Sequence, residues 1–369
     1  MEKNKTVLYI SYVNMHNFGS GSSVRPILMY KAFLQSGFEV IYIEKEASFA
    51  NKKERIKDIN RIKKWLDYNI PDFCYIESPG DPIILKEDRK LIKYIKRKNI
   101  KIAYFYRDAY YKVGKKCLYD NINFFSKKNI RYLIYKFLYW KDELLLRRYV
   151  DIVYFPSICM AKYFKFKNIG TLPPAGFITN CTYNVENKYL IYVGGISNRY
   201  GVHLLLDSLN IINKKQYIPL ILVCREKEVK NIPSEYINVK WLRIVHASGQ
   251  DQLISLYRQA KMALIPILPN EYNNFAVPVK LYEYMSYNLP IVSTNLTEVS
   301  KVIKKYDIGL VCTDDANEFA KSILTLYNDK NLLKKFSDNA KNALLLENLW
   351  LHRVSKIEND MNNLKGVIK

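Results

Sequence analysis

Hydrophobic runs of strand length alternate with helix-length amphipathic stretches along most of this 369-residue chain. The run TVLYISYV at residues 6–13 precedes the polar loop NMHNFGSGSS and a segment predicted to form a helix ending at Gly37 and a strand ending at Glu44. Further predicted elements are helices at 52–68 and 86–98, strands at 72–78 and 151–157, and a strand that runs into a loop within 101–111. This alternation predicts a parallel, doubly wound sheet.

The alternation starts again after residue 180, where KYLIYVGGISNRYGVHLLLDSLNII repeats a strand, a glycine loop and a helix. A chain of this length is too long for one ordinary core. We therefore predict an N-terminal Rossmann-like domain over residues 1–180 and a C-terminal one over 181–345. Residues 346–369 predict a terminal helix, for which packing back on the first domain is one option.

The segment VPVKLYEYMSYNLPIVST predicts a short helix followed by a strand. Pro278 suits a helix start, whereas Asn288 suits the left-handed closing position. Lys280 and Glu283 then lie on one face of the first turn, where free N–H groups and the helix dipole attract anions. A bound phosphate on Lys280 and ribose hydroxyls on Glu283 explain both residues; an exposed ion pair between them is the alternative.

Two glycine loops follow the first strand of each predicted domain. GSGSS, with Gly19 and Gly21, resembles a dinucleotide-binding loop but has Val24 where the third glycine belongs. In the second loop, VGGISNRYG, Gly194 and Gly195 either relieve crowding in a turn or let a diphosphate approach the backbone. Two cations are candidate partners of that anion, namely Arg199 in the loop and Arg225 at the next strand end.

Three runs in the second half carry a specific resemblance: YVGGISNRYGVHLLLDSL, DQLISLYRQAKMALIP and PVKLYEYMSYNLPIVST. In this order they resemble the nucleotide-sugar-binding domain of GT-B glycosyltransferases of group 1, family 4 included. The N-terminal half fits this family more loosely. The resemblance implies a GT-B fold, an α/β architecture in which two Rossmann-like domains with doubly wound parallel sheets face a cleft.

The sequence departs from the common pattern of that family, because Phe275 stands where the first glutamate of E-x7-E belongs. VPVKLYEY is similar instead to the P-x-K-x-x-[EQ]-Y pattern of capsule and exopolysaccharide transferases. This resemblance implies that Lys280 holds the donor diphosphate and Glu283 the ribose. Further expected nucleoside-side residues are Tyr272, Tyr284 and His246.

The acceptor hydroxyl needs a general base if the sugar is transferred with inversion. Asp108 follows a predicted strand in YFYRDAYY, where the similar inverting enzymes carry an aspartate base. His16 in the first glycine loop is the rival base, and an ion pair with Arg107 or a capping role is the structural alternative for Asp108. The transferred group, the acceptor and the stereochemistry stay open.

Charge is unevenly distributed, since residues 1–180 carry 34 Lys and Arg against 17 Asp and Glu, whereas the remainder carries 24 against 18. The basic, aromatic segment 112–148 is typical of a helix on an anionic membrane surface, with a packed helix as the alternative. The six cysteines and four histidines lack metal-site spacing, which predicts neither a metal nor a cofactor. No apolar run reaches membrane-spanning length, so we expect a cytoplasmic protein on the inner membrane face.

These features together predict a glycosyltransferase that moves a sugar from a nucleoside diphosphate donor to a lipid-linked saccharide or surface glycan. A nucleotide-sugar 2-epimerase of the same fold is the second hypothesis. A nucleic-acid-binding protein is the third, because the formal net charge is +23. No helix-turn-helix, zinc-finger or RNP-like pattern supports nucleic acid as a partner.

Overall fold

The computed structural model describes residues 5–15, 21–113 and 127–364. Within these ranges, residues 21–23 and 127–132 are described by their backbone alone. The chain forms two compact units. The first unit comprises Met1–Pro173 together with Trp350–Lys369, and the second comprises Pro174–Leu349. The second unit thus begins before the predicted residue 181, and the chain returns to the first unit at Trp350.

The first unit contains a six-stranded parallel sheet in the order β2-β1-β3-β4-β5-β6. Its strands are β1 (Thr6–Ile10), β2 (Glu39–Tyr42), β3 (Phe73–Glu77), β4 (Ile102–Phe105), β5 (Ile152–Phe155) and β6 (Ile169–Thr171). Its helices before residue 174 are α1 (Gly21–Gln35), α2 (Lys52–Tyr68), α3 (Lys86–Arg97), α4 (Tyr110–Val113), α5 (Lys127–Tyr149) and α6 (Ile158–Ala161). Strand order reverses between β1 and β3, the position at which such sheets bind ligands.

The second unit contains another six-stranded parallel sheet, in the order β12-β11-β10-β7-β8-β9. Its strands are β7 (Tyr189–Val193), β8 (Leu220–Val223), β9 (Leu242–Val245), β10 (Ala260–Ile265), β11 (Ile291–Thr294) and β12 (Gly309–Cys312). Its helices are α7 (Val202–Asn213), α8 (Ser234–Ile237), α9 (Gln250–Tyr257), α10 (Glu271–Phe275), α11 (Val279–Ser286), α12 (Thr297–Tyr306), α13 (Ala316–Asn328) and α14 (Lys330–Glu347). Here the order reverses between β7 and β10.

Buried aliphatic and aromatic side chains cover both faces of this second sheet. One cluster joins the sheet to α7 and α13, and the other joins it to α9, α11 and α12. Both faces are dry because consecutive residues of β8 and β10 are all buried. The predicted pair of parallel α/β units is confirmed, as is the left-handed closing position at Asn288 (φ 55°).

The last helix, α15 (Trp350–Asn363), belongs to the first unit. Val354 and Ile357 are fully buried in it. Arg353 Nε donates to the Pro173 carbonyl at 3.0 Å, and the Tyr154 hydroxyl donates to Asp360 at 2.7 Å. Apolar burial and these hydrogen bonds therefore fix the end of the chain on the first sheet.

Helix α5 holds its acidic side chains inward. Asp142 accepts hydrogen bonds from Ile83 N–H at 2.7 Å and from Arg89 Nε at 2.9 Å, and Glu143 accepts one from the Tyr111 hydroxyl. Both carboxylates are buried. Over the described ranges, no helix is long and apolar enough to cross a bilayer.

Candidate functional site

The first strand and the short helix α11 of the second unit meet at the carboxyl edge of the sheet, beside the strand-order reversal. Lys280 is the second residue of α11, and its Nζ lies 4.9 Å from the centre of the Tyr192 ring at the end of β7. A Cβ atom placed on Gly194 would lie only 1.7 Å from that Nζ. A side chain at position 194 would therefore displace the lysine ammonium, which occupies that space.

The Lys280 ammonium is partly buried yet has no hydrogen bond or ion pair with any residue in the described part of the chain. Burial lowers its pKa to about 8, against the opposing effect of the Glu283 and Glu228 carboxylates. The alternative of a close ion pair between Lys280 and Glu283 is thus not realised. A cation at a helix start is disfavoured unless an anion accompanies it.

Glu283 lies one turn further along α11 and is also partly buried. Burial raises the pKa of its carboxyl, whereas the Tyr257 hydroxyl and the Lys280 charge lower it. The Tyr257 hydroxyl interacts with Glu283 but lacks the geometry of a regular hydrogen bond. The carboxylate therefore keeps acceptor capacity that a pair of ligand hydroxyl groups can use.

The glycines of the loop after β7 pack closely against the Tyr200 ring and the Pro266 carbonyl. A Cβ atom on Gly195 would lie 2.7 Å from the Tyr200 ring, and Lys280 Nζ lies 5.9 Å from the centre of the same ring. Gly201 closes the turn with φ +67°, and a side chain there would collide with the Pro266 carbonyl oxygen at 1.7 Å. The two predicted loop glycines thus relieve crowding that a bulky lysine and tyrosine create.

Arg199 and Tyr272 are brought together in the structure. The Arg199 guanidinium lies 4.4 Å from the centre of the Tyr272 ring, which belongs to α10. Such stacking orients the flat face of a guanidinium. Both residues follow strands of the same sheet edge as Lys280.

Arg225 and His246 form a second pair of neighbours at the ends of β8 and β9. Both side chains are exposed, and His246 Nδ1 donates to the Cys224 carbonyl at 3.1 Å. No contact joins this pair to Lys280 among the described residues. The same part of the chain contains no group of three or more His, Cys, Asp or Glu side chains that could hold a metal ion.

Tyr284 does not line a pocket as expected from the sequence. Its side chain is fully buried in the second core, and its hydroxyl accepts a hydrogen bond from Val193 N–H at 3.1 Å. The reason is helical geometry, because Glu283 and Tyr284 are neighbours in sequence and point to different sides of α11. Tyr284 supports the end of β7 from within the core.

In the first unit, Asp108 follows β4, and its Oδ1 accepts a hydrogen bond from Tyr110 N–H at 3.1 Å. No ion pair joins it to Arg107, whose terminal guanidinium nitrogens lack partners in the described residues. Gly21 is the first residue of α1. His16 and Gly19 lie outside the described residues.

Several residues of these two strand edges escaped the sequence analysis. Tyr192, Tyr200 and Tyr257 surround Lys280 and Glu283, but they resemble ordinary core tyrosines in the sequence. Arg25 and Glu77 were missed in the first unit. A single arginine among the apolar residues VRPILMY, near the start of a predicted helix, is the sequence signal that could have identified Arg25.

We predict that Lys280→Met stabilises the ligand-free protein at pH 7 by about 1–3 kcal/mol, because it removes a poorly solvated charge. The ammonium pKa is about 8 in the folded protein and 10.5 ordinarily, so the unfolded chain binds more protons between these values. The cost is complete below about pH 8 and is relieved as pH rises toward 10.5. Thermal unfolding from pH 7 to pH 10 measures the difference from wild type, which should shrink with rising pH.

Lys230→Met at an exposed position is the matched control and should show no such pH-dependent difference. A Lys280→Met protein that is less stable than wild type at pH 7 would show that the ammonium is structurally satisfied.

Part of the second unit matches a known protein family. Residues 187–329 match the family model described as "Glycosyl transferases group 1". Over 163 residues the chain is 26% identical to the capsular polysaccharide biosynthesis glycosyltransferase CapM of Staphylococcus aureus. That alignment covers 42% of this chain and 41% of CapM, so the chain matches about two fifths of its curated relative.

Three solved structures share the whole fold. An alpha-glucosyltransferase in complex with UDP and a 13-mer DNA has a TM-score of 0.69 at 12% identity, covering 98% of this chain and 100% of its own. A glycosyltransferase from Rickettsia africae has a TM-score of 0.67 at 13% identity, covering 98% of both chains. Anabaena HepE in complex with UDP has a TM-score of 0.66 at 12% identity, covering 97% of this chain and 99% of its own. The chain therefore has the GT-B fold, and its residues 187–329 are similar to the group 1 glycosyltransferases.

Proposed function

We propose that this protein transfers a glycosyl group from a nucleoside diphosphate sugar to a hydroxyl of a lipid-linked saccharide or surface glycan. The observation that carries the proposal is the Lys280 ammonium. It lies at a helix start, against the backbone of Gly194, without an anionic partner among the described residues. A diphosphate at this position supplies the missing negative charge.

The same charge has a chemical use in glycosyl transfer. The diphosphate leaves with additional negative charge, and a fixed cation with free helix N–H groups stabilises that charge in the transition state. Arg199, held on the Tyr272 ring, is the second cation of this proposal. Arg225 is a third cation at the same sheet edge, and the carboxylate of Glu283 accepts from ribose hydroxyls.

UDP is the first nucleotide to test, because Anabaena HepE and the alpha-glucosyltransferase, which share the fold, were solved with UDP. A metal-independent reaction stays a prediction, in which Lys280 and its neighbouring cations neutralise the leaving group.

Asp108 is the proposed general base for the acceptor hydroxyl. It follows β4 at the carboxyl edge of the first sheet, next to the point of strand-order reversal. Its Oδ1 is occupied by the Tyr110 N–H, which fixes the carboxylate orientation. His16, the alternative general base expected from the sequence, stays a prediction.

Helix α5 supports a membrane-bound acceptor, because its outward face is apolar. Four exposed apolar residues follow a spacing of four, three and four and so share one face. They are Leu133, Phe137, Trp140 and Leu144, and Ile134, which follows Leu133, is exposed as well. The exposed cations flanking this stripe are Lys136 and Arg147 on one side and Lys141 and Arg148 on the other. Since the acidic residues Asp142 and Glu143 are turned inward, this surface suits an anionic lipid headgroup layer.

This arrangement favours the membrane interpretation of segment 112–148 over a helix with a solvated basic side. Phe137 and Trp140 are each 53% exposed and stack with ring centres 5.7 Å apart. Aromatic rings flanked by cations are typical of side chains at a bilayer interface. Residues 114–126 of that segment lie outside the described residues.

We predict that one nucleotide of a UDP, GDP, dTDP and CMP panel stabilises the native protein. At 100 times its dissociation constant a ligand adds about 2.7 kcal/mol, a visible shift in thermal unfolding. Lys280→Met should abolish this shift, whereas Lys304→Met, on α12, should keep it. Undiminished stabilisation of Lys280→Met would remove the diphosphate role from that residue.

We predict that Asp108→Asn loses transfer by about 10²–10⁴-fold, the usual contribution of a general base, with nucleotide binding unchanged. The assay is the transfer of labelled sugar to a membrane extract, with the exposed Asp314→Asn as control. Conversion of the donor sugar without any acceptor would instead identify the epimerase. Wild-type transfer by Asp108→Asn would assign the base to another residue.

We predict that the double variant Phe137→Gln and Trp140→Gln binds vesicles of phosphatidylglycerol and phosphatidylcholine at least about tenfold more weakly, because apolar burial in the bilayer is lost. Vesicle co-sedimentation at low and high salt measures this, and salt should also weaken wild-type binding. Leu346→Gln, at an exposed apolar position of α14, is the control. Equal binding of both variants would exclude α5 as the membrane contact.

A further inference from the structure

Two buried charged side chains and one partly buried one gather at the carboxyl edge of the first sheet. Arg25 lies in the first turns of α1, which follows β1, while Glu77 ends β3 and Arg107 follows β4. Arg25 is 5% exposed and Glu77 is fully buried, whereas Arg107 is partly exposed. The cluster occupies the reversal of strand order between β1 and β3.

One carboxylate oxygen holds most of the internal contacts of this cluster. Glu77 Oε1 accepts hydrogen bonds from Arg25 Nε at 3.1 Å and from the Tyr75 hydroxyl at 2.6 Å. The Arg25 guanidinium also lies 3.5 Å from the centre of the Phe105 ring and 5.5 Å from that of Trp350. Arg25 is therefore fixed in position through its inner nitrogen and its flat face.

The terminal guanidinium nitrogens of both arginines lack hydrogen bonds within the described residues. Nη1 and Nη2 of Arg25 and of Arg107 are buried and have no hydrogen-bond partner among the described residues. Glu77 Oε2 also lacks a partner, so Glu77 does not reach these donors. Buried donors without acceptors cost free energy, and charged ones cost more than neutral ones.

The buried charges of the cluster are two guanidinium groups and the Glu77 carboxylate. The Asp108 carboxylate, next in sequence to Arg107, also acts on the Arg107 charge but leaves Nη1 and Nη2 of Arg107 without a hydrogen bond among the described residues. Burial lowers the pKa of Arg107; Glu77 opposes this effect and the Arg25 charge adds to it. An anion beside Arg107 would remove this penalty.

We propose that Arg25 and Arg107 bind a phosphoryl group of the acceptor, an inference that rests on the proposed transferase function. Two unpaired nitrogens on each of two guanidinium groups match the several oxygens of a phosphoryl group. A carboxylate has only two oxygens for these donors.

The position of the cluster gives this binding a purpose. Arg107 directly precedes Asp108, the proposed base, and both follow β4. A phosphoryl group bound by Arg107 would hold one end of the acceptor while a hydroxyl of the same molecule reaches Asp108. Holding the acceptor in one geometry converts part of its binding energy into rate.

The test measures thermal unfolding with inorganic phosphate in proteins that all carry Lys280→Met, so that the proposed donor site does not contribute. Phosphate should raise the melting temperature of this parent, and adding Arg107→Gln should abolish the specific rise. Arg107→Gln should also leave the phosphate-free melting temperature equal or higher, because it removes an unpaired buried charge. The control is Arg97→Gln, an exposed arginine of α3.

General salt stabilisation by phosphate is common to all these variants and cancels in the comparison. An equal phosphate response in Arg107→Gln would overturn the proposal, and so would a lower phosphate-free melting temperature, which would mark Arg107 as structural. Glycerol 1-phosphate should act like inorganic phosphate if the source is a lipid headgroup or another phosphomonoester. An equal or larger effect of glucuronate would overturn the phosphoryl assignment in favour of a carboxylate.

UDP binding to the protein with Lys280 intact separates this inference from the proposed function. UDP could stabilise that protein while phosphate raises the melting temperature equally with and without Arg107→Gln. In that case only the proposal of a phosphoryl site is wrong. If no nucleotide stabilises the protein, the transferase proposal fails, whatever the phosphate result.

Discussion

Burial of a parallel sheet on both faces constrains every polar feature of this protein. Strands such as β8 and β10 are covered by helices on each side, so their residues are apolar except for Lys261 of β10. Charged groups can then reach a ligand only where the strands end. Because all strands of a unit run in the same direction, their carboxyl ends meet at one edge, and the reversal of strand order opens a gap there. Lys280 and Arg25 occupy these two gaps, one in each unit.

Unpaired charge is what makes both edges chemically informative. Elsewhere the chain neutralises buried cations, as for Arg55, which binds Asp88 at 2.8 Å and the carbonyls of Ser11 and Lys45. Lys280 lacks such a partner among the described residues. Native structures rarely keep buried donors unsatisfied without a functional reason. The contrast with Arg55 supports a ligand at the Lys280 edge rather than a structural role.

In helix α5 the buried carboxylates are paired, whereas apolar side chains are exposed. Its carboxylates bind Arg89 and Tyr111 inside the unit, so the helix is anchored through polar contacts and leaves an apolar stripe outside. A helix of this kind has no reason to expose Phe137 and Trp140 to water. The proposed membrane contact accounts for this arrangement and agrees with the proposed lipid-linked acceptor.

The sequence by itself determined the two parallel sheets, the helix start after Pro278 and the resemblance of the second half, because periodicity, glycine and proline act locally. Helix α2 begins and ends at the predicted residues. Only the tertiary structure decided that Gly194 makes room for the Lys280 ammonium, that Tyr284 is buried and that Arg25 meets Glu77. Those relations join residues far apart in the chain, and local pattern carries no information about which strand ends become neighbours.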